Sequence, residues 1–400
     1  MPNALLTTFM ALFLAYVLSG IFRYFKLPRV IGQISAGIIL GIPIIKIIFF
    51  NEEILSVFSF ITNIGIILLF FFIGLEINFR EFKKNFRESS LIAIFNTIIP
   101  LAAGFLVGRY LFGFNSITSI IIGISVSVSS QAISLDILEE LKLLKSKIGN
   151  LIVASGTVDD VFELLLISSI LVLFHSAALG QLSFYNLIFD VLLYVLVVIL
   201  SRIFIIPYAL RMFEREKSQA TLFMGALLIV LLMAYLSEFL GIGSFIGALV
   251  AGMLVRQTLL TGSDRKPWRK NEISHSIHII SFGFLIPIFF VNVGLNIDLG
   301  SLSSNMFLVV VLIAVDILGT LLGTVIGVRL SKGTLKEGLI VGWGVIPKGD
   351  TELIIATLAL NNGLISVGVF TAIITVAMFS TFVAPIAFTL LVKRHAEMRK

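Results

Sequence analysis

Long apolar stretches separated by short polar segments run through the whole chain. A helix needs about 20 mainly apolar residues to cross a bilayer. Thirteen stretches have that character: 4–23, 29–50, 54–75, 90–112, 116–138, 148–174, 184–207, 219–238, 241–256, 274–296, 304–328, 336–361 and 366–392. The pattern therefore predicts an all-α, polytopic membrane protein with about 13 transmembrane helices.

The composition agrees with this interpretation. Hydrophobic residues make up 58% of the 400 residues and charged residues only 13%, whereas soluble domains carry about 25% charged residues. Cysteine is absent, which excludes a disulfide framework and a thiolate metal site. No basic segment precedes the first apolar run, Leu5 to Phe22, so we interpret it as a spanning helix rather than a cleaved signal peptide.

The basic residues indicate the orientation of the chain. Lys and Arg concentrate in cytoplasmic loops, and with the N-terminus outside, 26 of the 29 basic residues lie in inner segments. The exceptions are Lys46, Arg109 and Lys348. We therefore predict a multi-pass protein of the cell membrane with a cytoplasmic C-terminus. The net charge of +6 is then an orientation signal and not a nucleic-acid surface.

Three short motifs occur twice in the same order, 215–220 residues apart. The pairs are 31–37 with 246–252, 72–77 with 292–297, and 122–123 with 341–342. Each pair is seven spans apart, and an odd difference means that the two copies cross the membrane in opposite senses. Inverted repeats are common in secondary transporters, which bind substrate near the midplane at broken helices. The alternative is a set of unrelated small-residue packing sites.

The fifth and twelfth spans, which are partners in the repeat, are both predicted to break. Polar residues interrupt the fifth span: Ser125, Ser127, Ser129, Ser130 and Gln131. In the twelfth span, Pro347 lacks a backbone donor and Gly349 loosens the chain. Such backbone persists at membrane depth only where protein or a wet cavity satisfies it.

Charged residues accompany the break in the twelfth span. A half-helix is positive at its N-terminus and negative at its C-terminus. Lys348 is placed to neutralise the negative ends, and Asp350 or Glu352 the positive ones. A purely structural ion-pair cluster is the alternative interpretation.

Two adjacent acids, Asp159 and Asp160, lie about twelve residues into the sixth span, close to the bilayer centre. A charge at that depth costs at least about 2.5–3.5 kcal/mol, so such residues mark a functional site by default. Glu163 follows one turn later. Further oxygen ligands are available from Ser155, Thr157, Ser129, Ser130 and Gln131. Acids held by structural partners are the alternative.

The chemistry of paired buried acids suits ion exchange. Burial and a like-charged neighbour both favour a protonated carboxyl, so a cation binds there by replacing the proton. Competition of H⁺ and a cation for the same oxygens couples the two fluxes. We therefore predict that Asp159 and Asp160 bind the proton and an alkali cation as one coupled unit.

Two other acids lie within spans. Asp316 is in the middle of the eleventh span, where its partner in the repeat is Asn96. We include Asp316 among the residues that support the ion site. Asp190 lies in the seventh span, nearer the outer interface, and we interpret it as structural.

Six segments together resemble the monovalent cation:proton antiporter superfamily, in particular the sodium/proton antiporters and potassium efflux systems. They are Gly32 to Gly41, Ile66 to Glu76, Val128 to Leu135, Gly156 to Asp160, Phe289 to Leu299 and Gly344 to Ile354. The resemblance covers nearly all of residues 5–392. It implies that Asp160 is the ion-binding aspartate, that Asp159 is its neighbour, and that Lys348 is the basic residue of a Pro-basic-Gly-acid segment.

The resemblance also implies an architecture of thirteen helices in which the fifth and twelfth cross as broken helices. Dimerisation and scaffold helices are expected at about 4–75 and 219–296, core helices at about 90–174 and 304–392, and a linking helix at 184–207. A homodimer, elevator-type alternating access and no cofactor are further expectations. No soluble regulatory domain is expected.

One departure from the family concerns Asp316. Many sodium/proton antiporters place Lys or Arg in the eleventh span, where it pairs with the first aspartate. Here Asp316 takes that place. We therefore expect an extra carboxylate beside Asp159, in a site that would suit a divalent cation or a second proton.

The sequence thus predicts a secondary antiporter that exchanges Na⁺, Li⁺ or K⁺ for H⁺ and serves pH homeostasis. A divalent-cation transporter of the same fold, a channel-like leak, an organic-anion symporter and a sensor that lost transport are the alternatives. The paired carboxylates argue against an anionic substrate. An enzyme is not expected, because an intramembrane aspartyl protease needs aspartates on separate helices, whereas Asp159 and Asp160 are adjacent.

Overall fold

The part of the chain that the structure describes is built from helices joined by short non-helical segments. The computed structural model describes residues 3–24, 28–76, 86–130, 132–143, 146–153, 155–156, 158–159, 162, 193–194, 196–205, 208, 219–240, 243–261 and 272–397. All regular secondary structure within these ranges is helical. The predicted sixth and seventh spans, 148–174 and 184–207, lie mostly outside the described residues.

The N-terminal region contains a sharply bent pair of helices. Its helices are α1 (Ala4–Tyr24), α2 (Arg29–Gly41), α3 (Pro43–Phe49) and α4 (Glu52–Glu76). α2 and α3 are bent by 87° at the break between them, where Pro43 lies in the first turn of α3. Proline is favoured there because its missing N–H has no partner to lose. The predicted second span is therefore two helices rather than one.

The remaining helices follow in chain order. α5 (Phe86–Leu106) continues into a π-helical turn (Val107–Leu111), and α6 (Ser116–Ser127) and α7 (Ala132–Glu140) come next. After a π-helical turn (Ser201–Ile205) come α8 (Gln219–Phe239), α9 (Ser244–Thr261), α10 (Glu272–Ile280), a π-helical turn (Ser281–Leu285) and α11 (Ile286–Leu295). The C-terminal helices are α12 (Leu299–Ser304), α13 (Met306–Leu330), α14 (Leu335–Val345), α15 (Asp350–Asn361) and α16 (Val367–Glu397).

Several of these helices have the length and apolar character of membrane spans. Within the described residues six single helices meet both conditions: Ala4–Tyr24, Glu52–Leu75, Glu88–Leu111, His275–Leu295, Met306–Leu330 and Val367–Arg394. The bent pair α2–α3 adds a seventh. Shorter apolar helices lie at Ser116–Ser127, Phe223–Phe239, Ser244–Gln257 and Thr351–Asn361. The protein is a multi-pass, all-α membrane protein, which confirms the fold class predicted from the hydrophobic pattern.

The chain packs into two compact units. The first comprises residues 1–17, 33–77 and 168–295, and the second comprises 18–32, 78–167 and 296–400. Most of the residues expected to form the scaffold are in the first unit, and most of those expected to form the core are in the second. Their roles in dimerisation and transport stay predictions.

Two close helix crossings in the first unit make the same contact twice. A Cβ atom on Gly37 of α2 would meet the backbone of α11 at Gly294, and a Cβ atom on Gly294 would meet the backbone at Gly37. Gly74 of α4 and Gly252 of α9 have the same mutual relation. These glycines belong to the repeated sequence motifs. The first motif of one copy contacts the second motif of the other copy, and the reverse contact is also present. A pseudo-two-fold axis between two inverted copies produces such reciprocity.

In the second unit, α13 crosses α5 along a stripe of glycines. Gly319, Gly323 and Gly327 lie on one face of α13 because they are four residues apart. A Cβ atom on Gly319 would meet Pro100 of α5, and one on Gly323 would meet the carbonyl group of Phe95. The two backbones approach closely because these positions lack side chains. The crossing thus fixes the relative position of two helices that carry polar residues in their middle.

Both predicted helix breaks are present in the second unit. The chain is interrupted between α6 and α7 and again between α14 and α15. The two interruptions touch, since the Ser130 N–H donates to the Pro347 carbonyl at 2.7 Å. The half-helices have well-formed starts, because the Asn115 side chain caps α6 and a capping box of Thr334 and Glu337 begins α14.

Candidate functional site

Asp159 is a buried carboxyl held by neutral side chains. Its residue is only 3% exposed. The Thr97 hydroxyl donates to Asp159 Oδ1 at 2.8 Å, and Asn96 Nδ2 donates to Asp159 Oδ2 at 3.2 Å. The Ser129 hydroxyl also donates to Oδ2. Both carboxyl oxygens therefore have donors, and none of these donors carries a charge.

Two elements bring these donors to Asp159. Asn96 and Thr97 lie in the middle of α5, on the side that crosses α13, and Ser129 lies in the break after α6. In an intact helix a serine commonly donates to a carbonyl of its own preceding turn. The break leaves the hydroxyl of Ser129 available for Asp159. The interruption of α6 thus places a polar group in the apolar interior.

Thr97 has two acceptors for a single hydroxyl proton. Its Oγ1 lies 2.8 Å from Asp159 Oδ1 and 2.9 Å from the Ala93 carbonyl oxygen. A hydroxyl donates one hydrogen bond at a time. When the carboxyl of Asp159 is ionised, Thr97 donates to it. When the carboxyl is protonated and donates to Thr97, the hydroxyl proton turns to Ala93.

An acceptor beside Asp159 has no donor. Among the described residues, Asn96 Oδ1 is a buried oxygen without a hydrogen-bond partner. Buried polar atoms are nearly always paired, so an exception calls for an explanation. An amide oxygen next to a carboxylate is a ligand that hard cations accept.

Lys348 connects the two helix breaks. Its Nζ donates to the carbonyl oxygens of Val126 at 2.9 Å and Val128 at 2.7 Å, which belong to the C-terminal end of α6 and its cap. The same nitrogen forms an ion pair with Asp316 Oδ1 at 2.8 Å. A cation at this end offsets the negative pole of the half-helix. Lys348 also interacts electrostatically with Asp159.

Asp316 is balanced by a positive charge. Besides the ion pair with Lys348, it accepts a hydrogen bond from the Ser380 hydroxyl, and its residue is fully buried. The structure therefore gives Asp316 a counter-ion that the sequence analysis did not predict, and its place beside Asp159 stays a prediction. Asp316 lies in the predicted eleventh span, and its partner Lys348 lies in the break of the predicted twelfth span.

α16 fixes both members of this ion pair with adjacent residues. The Ser380 hydroxyl contacts Asp316. The Thr381 hydroxyl accepts from the Lys348 N–H at 3.0 Å and lies 3.2 Å from the Lys348 carbonyl oxygen. The backbone on which Lys348 stands is therefore held in place, although Pro347 prevents a helix there.

The two groups of side chains are related by the internal repeat. Their members pair at spacings of 219–221 residues: Asn96 with Asp316, Ser129 with Lys348, and Asp159 with Ser380. In each group an α5 or α13 residue, a residue from a helix break and a residue from the following helix meet. The repeat has therefore kept the geometry of the site while exchanging the positions of the charges.

The other predicted site residues have varied positions. Ser155 is buried and donates to the Leu151 carbonyl of its own helix at 2.7 Å. Asp350 is the first residue of α15, and Glu352 is fully buried two residues later. Gln131, Thr157, Asp160 and Glu163 lie outside the described residues.

Sequence reasoning missed four residues of the site: Thr97, Ser380, Thr381 and Asn96, the last of which it noted only as the repeat partner of Asp316. Hydroxyl side chains in apolar helices usually donate a hydrogen bond to the backbone of their own helix, as Thr324 and Thr357 do here. Their presence in a sequence therefore gives little indication of a functional site. The internal repeat could have predicted Ser380, because this residue corresponds to Asp159 in the other copy. Within the described residues, no group of three or more His, Cys, Asp and Glu side chains is arranged to hold a metal ion.

Comparison with known proteins gives a consistent relationship. The sequence matches the family described as “Sodium/hydrogen exchanger, transmembrane” over residues 9–394. It is 30% identical to the Na(+)/H(+) antiporter of Enterococcus hirae over 376 residues, which cover 94% of each chain. It is 27% identical to the Na(+)/H(+)-K(+) antiporter GerN of Bacillus cereus over 360 residues, which cover 90% of this chain and 88% of GerN.

A solved structure has the same fold. The sodium proton antiporter MjNhaP1 from Methanocaldococcus jannaschii at pH 8 superposes with a TM-score of 0.70 over 98% of both chains, at 17% sequence identity. The resemblance to the cation:proton antiporters inferred from short motifs is thereby confirmed. With a family match that spans nearly its whole length, the chain belongs to the sodium/hydrogen exchanger family.

Proposed function

We propose that this protein is a secondary antiporter that exchanges Na⁺ for H⁺ across the cell membrane, with Asp159 and Asp160 as the exchange site. The observation that carries the proposal is the environment of Asp159, a carboxyl buried among uncharged donors. Family membership and the antiporter names of its relatives support the reaction class. The proposal includes no cofactor.

Competition between the two ions follows from the ligands of Asp159. A buried carboxylate needs a counter-charge, which either a proton or a cation supplies. The hydroxyls of Thr97 and Ser129 serve both states, because a hydroxyl carries a donor and two acceptor lone pairs. Asn96 Oδ1, which has no hydrogen-bond partner among the described residues, adds a ligand for the cation. Since both ions use the same oxygens, each displaces the other.

Neutralisation of the acids gates the transport step. Moving an unpaired charge through a low-dielectric barrier is costly, whereas a carboxylate carrying a proton or a cation moves at lower cost. The loaded site therefore passes from one side of the membrane to the other more readily than the empty site. In our proposal the core helices make this movement as an elevator, and the scaffold helices form a homodimer.

Two other cargoes have different support. K⁺ is tested because the related GerN is a Na(+)/H(+)-K(+) antiporter by name. The argument for a divalent cation was a third carboxylate at the site, and the ion pair between Asp316 and Lys348 weakens that argument because it offsets the charge of Asp316. A sensor without transport is the remaining alternative, and the experiment below separates it from an antiporter.

The test is proton movement in liposomes that contain the purified protein and an internal pH-sensitive dye. The lumen is made acidic, and Na⁺, Li⁺, K⁺ or Ca²⁺ is added outside in separate experiments. We expect Na⁺ to make the lumen more alkaline. Asp159→Asn and Asp160→Asn should abolish the response, because an amide supplies no charge to exchange.

Asp298→Asn is the matched control. Asp298 is exposed and caps α12 by accepting from the Gly300 N–H at 2.9 Å, and asparagine caps a helix equally well. This variant should behave as the wild type does. If the wild-type protein moves no protons with any cation under gradients of either direction, exchange is the wrong function and the sensor alternative stands.

A further inference from the structure

Glu352 is a buried acid that the exchange site does not use. It is the third residue of α15 and 0% exposed. Neither of its carboxyl oxygens has a hydrogen-bond partner among the described residues. An ionised carboxylate in such a place costs several kcal/mol unless a cation or donors compensate it. The neutral, protonated side chain is therefore the state that fits this arrangement.

Two charged groups act on Glu352, and they are each other's partners. Lys348 and Asp316 both interact with it electrostatically, while their own side chains form an ion pair at 2.8 Å. α15 packs against α6 and α16. α6 has no charged residue, and the charged residues of α16 begin only at Lys393, near its end. Among the described residues, Glu352 and the two groups that act on it thus form a cluster of two acids and one base, and Lys348 also interacts with Asp159 of the exchange site.

The charge of this cluster is zero when one of its two acids holds a proton. Lys348 is 5% exposed, and both acids are fully buried. If both acids were ionised, the cluster would carry a buried net charge. If both were protonated, Lys348 would be a buried cation without a carboxylate. One proton and one ammonium group shared between two carboxyls avoid both costs.

We propose that Asp316, Lys348 and Glu352 form a proton relay in which one proton moves between the two carboxyls while Lys348 changes its partner. In the arrangement described here, Glu352 holds the proton and Lys348 pairs with Asp316. In the second arrangement, the O–H bond of Glu352 has broken, an O–H bond has formed on Asp316, and the ammonium group pairs with Glu352. No other reactant is needed, and the net charge is zero in both arrangements.

The neighbours of Asp316 suit both of its states. The Ser380 hydroxyl that donates to ionised Asp316 also accepts a hydrogen bond from a protonated carboxyl. Lys348 has a flexible four-carbon side chain with three rotatable donors. It is therefore able to move between two acids without a change in the backbone that Thr381 holds.

The relay is linked to the exchange site through two consecutive residues. Lys348 binds the carbonyl oxygen of Val128, and the next residue, Ser129, donates to Asp159. A change in the position of the ammonium group therefore alters the backbone that presents a ligand of Asp159. This role in transport rests on the proposed exchange function, whereas the relay itself is testable in the resting protein.

A double-mutant cycle on thermal unfolding tests the shared base. Glu352→Gln and Asp316→Asn each leave Lys348 one carboxylate, so each should lower the melting temperature modestly. The double variant leaves Lys348 with neither acid of this cluster and should lower the melting temperature by at least twice the sum of the single effects. Additive effects overturn the relay, because they mean that Lys348 has one fixed partner.

Infrared spectroscopy tests the proton directly and does not need the double variant to fold. The difference spectrum between the wild type and each single variant should show the loss of one carboxylic-acid carbonyl band, since each variant leaves one acid ionised by Lys348. The control is Glu337→Gln, which removes another buried acid that is already paired with Lys147 at 2.9 Å, and its difference spectrum should not show this loss. A Glu352→Gln difference spectrum without the loss overturns the relay, as does a loss that only Glu352→Gln shows.

Transport measurements separate this inference from the proposed function. Glu352→Gln should shift the pH profile of cation exchange in liposomes, while Glu337→Gln should leave it unchanged. An unchanged profile in Glu352→Gln overturns the role of the relay in transport without affecting the exchange function. Absence of exchange in the wild type would instead count against the exchange function, and the unfolding and infrared results would still decide the relay.

Discussion

At the scale of the residue, the hydroxyl ligands of Asp159 should set the pH at which exchange begins. The Ser129 hydroxyl donates to Asp159, and a hydrogen bond to a charged group contributes about 1.5–3 kcal/mol. Ser129→Ala removes a donor that favours the ionised carboxyl, so the proton competes better with the cation. We expect half-maximal exchange to move to a higher pH by about one to two units, at roughly 1.4 kcal/mol per unit.

The control for this variant is another buried serine. Within the part of the chain that the structure describes, Ser155 donates only to carbonyl groups of its own preceding turn, at Leu151 and Ile152. Ser155→Ala should therefore leave the pH profile of dye-monitored exchange where it is. Equal profiles for both variants would show that the hydroxyl of Ser129 does not act on the titrating group.

Lys348 should be a stability determinant as well as a part of the site. Lys348→Met leaves Asp316 buried without its counter-ion and removes the donor for Val126 and Val128. Loss of one partner of a buried pair costs about 3–5 kcal/mol. Thermal unfolding in detergent should show this loss, while Lys393→Met, at an exposed position of α16, should unfold as the wild type does. A Lys348→Met variant as stable as the wild type would contradict the buried pair.

Charged residues of the site were predictable from the sequence, but their pairing was not. Asp159 and Lys348 stand out because ionisable groups are rare in apolar spans. The partner of Asp316 was not predicted, because the sequence shows which span carries a base and not how far its side chain reaches. Thr97 gave no signal at all, since its hydroxyl also satisfies the common pattern of a bond to the preceding turn.

At the scale of the element, the glycine stripe of α13 should control the position of the site. A Cβ atom at Gly323 would meet the backbone of α5 at Phe95, immediately before Asn96. Gly323→Ala should therefore separate the two helices, at a cost of about 1–3 kcal/mol for overpacking. A lower melting temperature together with weaker cation-dependent exchange is the expected result.

Gly20→Ala provides the comparison for an open helix surface. A Cβ atom at Gly20 of α1 has nothing within 4 Å, and alanine is favoured over glycine inside a helix by about 0.5–1 kcal/mol. Its melting temperature should equal or exceed that of the wild type. If Gly323→Ala behaves in the same way, α13 and α5 are not in backbone contact.

The breaks were the most predictable elements and the bend at α3 the least. Pro347 and the run of serines after α6 disrupt a helix for reasons that depend only on local chemistry. Pro43 also marks a helix start, but residues 29–50 are mainly apolar and long enough for one span. Hydropathy does not distinguish one straight helix from two that meet at 87°.

At the scale of the whole molecule, the predicted orientation is open to direct labelling because the chain has no cysteine. With the N-terminus outside, Lys336 faces the cytoplasm and Asn362 faces the exterior, and both residues are exposed. In intact cells an impermeant maleimide should label Asn362→Cys and should label Lys336→Cys only after permeabilisation. The unlabelled wild type is the control, and the reverse pattern would contradict the orientation.

The repeat explains why so much of the architecture was accessible from the sequence. Two copies give three motifs a second occurrence, so weak matches at Gly37 and Gly252 or at Gly74 and Gly294 reinforce one another. The copies differ at the site itself, where Asn96 corresponds to Asp316 and Ser129 to Lys348. For that reason the repeat predicted where the helices break but not which side chains pair.

The reciprocal glycine crossings have a consequence for ancestry and for design. Each copy contains both surfaces of the contact, one at Gly37 and one at Gly74, so a half-length chain is complementary to an upside-down copy of itself. Such a chain must insert into the membrane in both directions, which requires an even distribution of Lys and Arg. With the predicted orientation, 26 of the 29 basic residues of the present chain lie on one side of the membrane. A half-length ancestor of this kind would have lacked that asymmetry, and a designer who wishes to recover it must first remove the asymmetry.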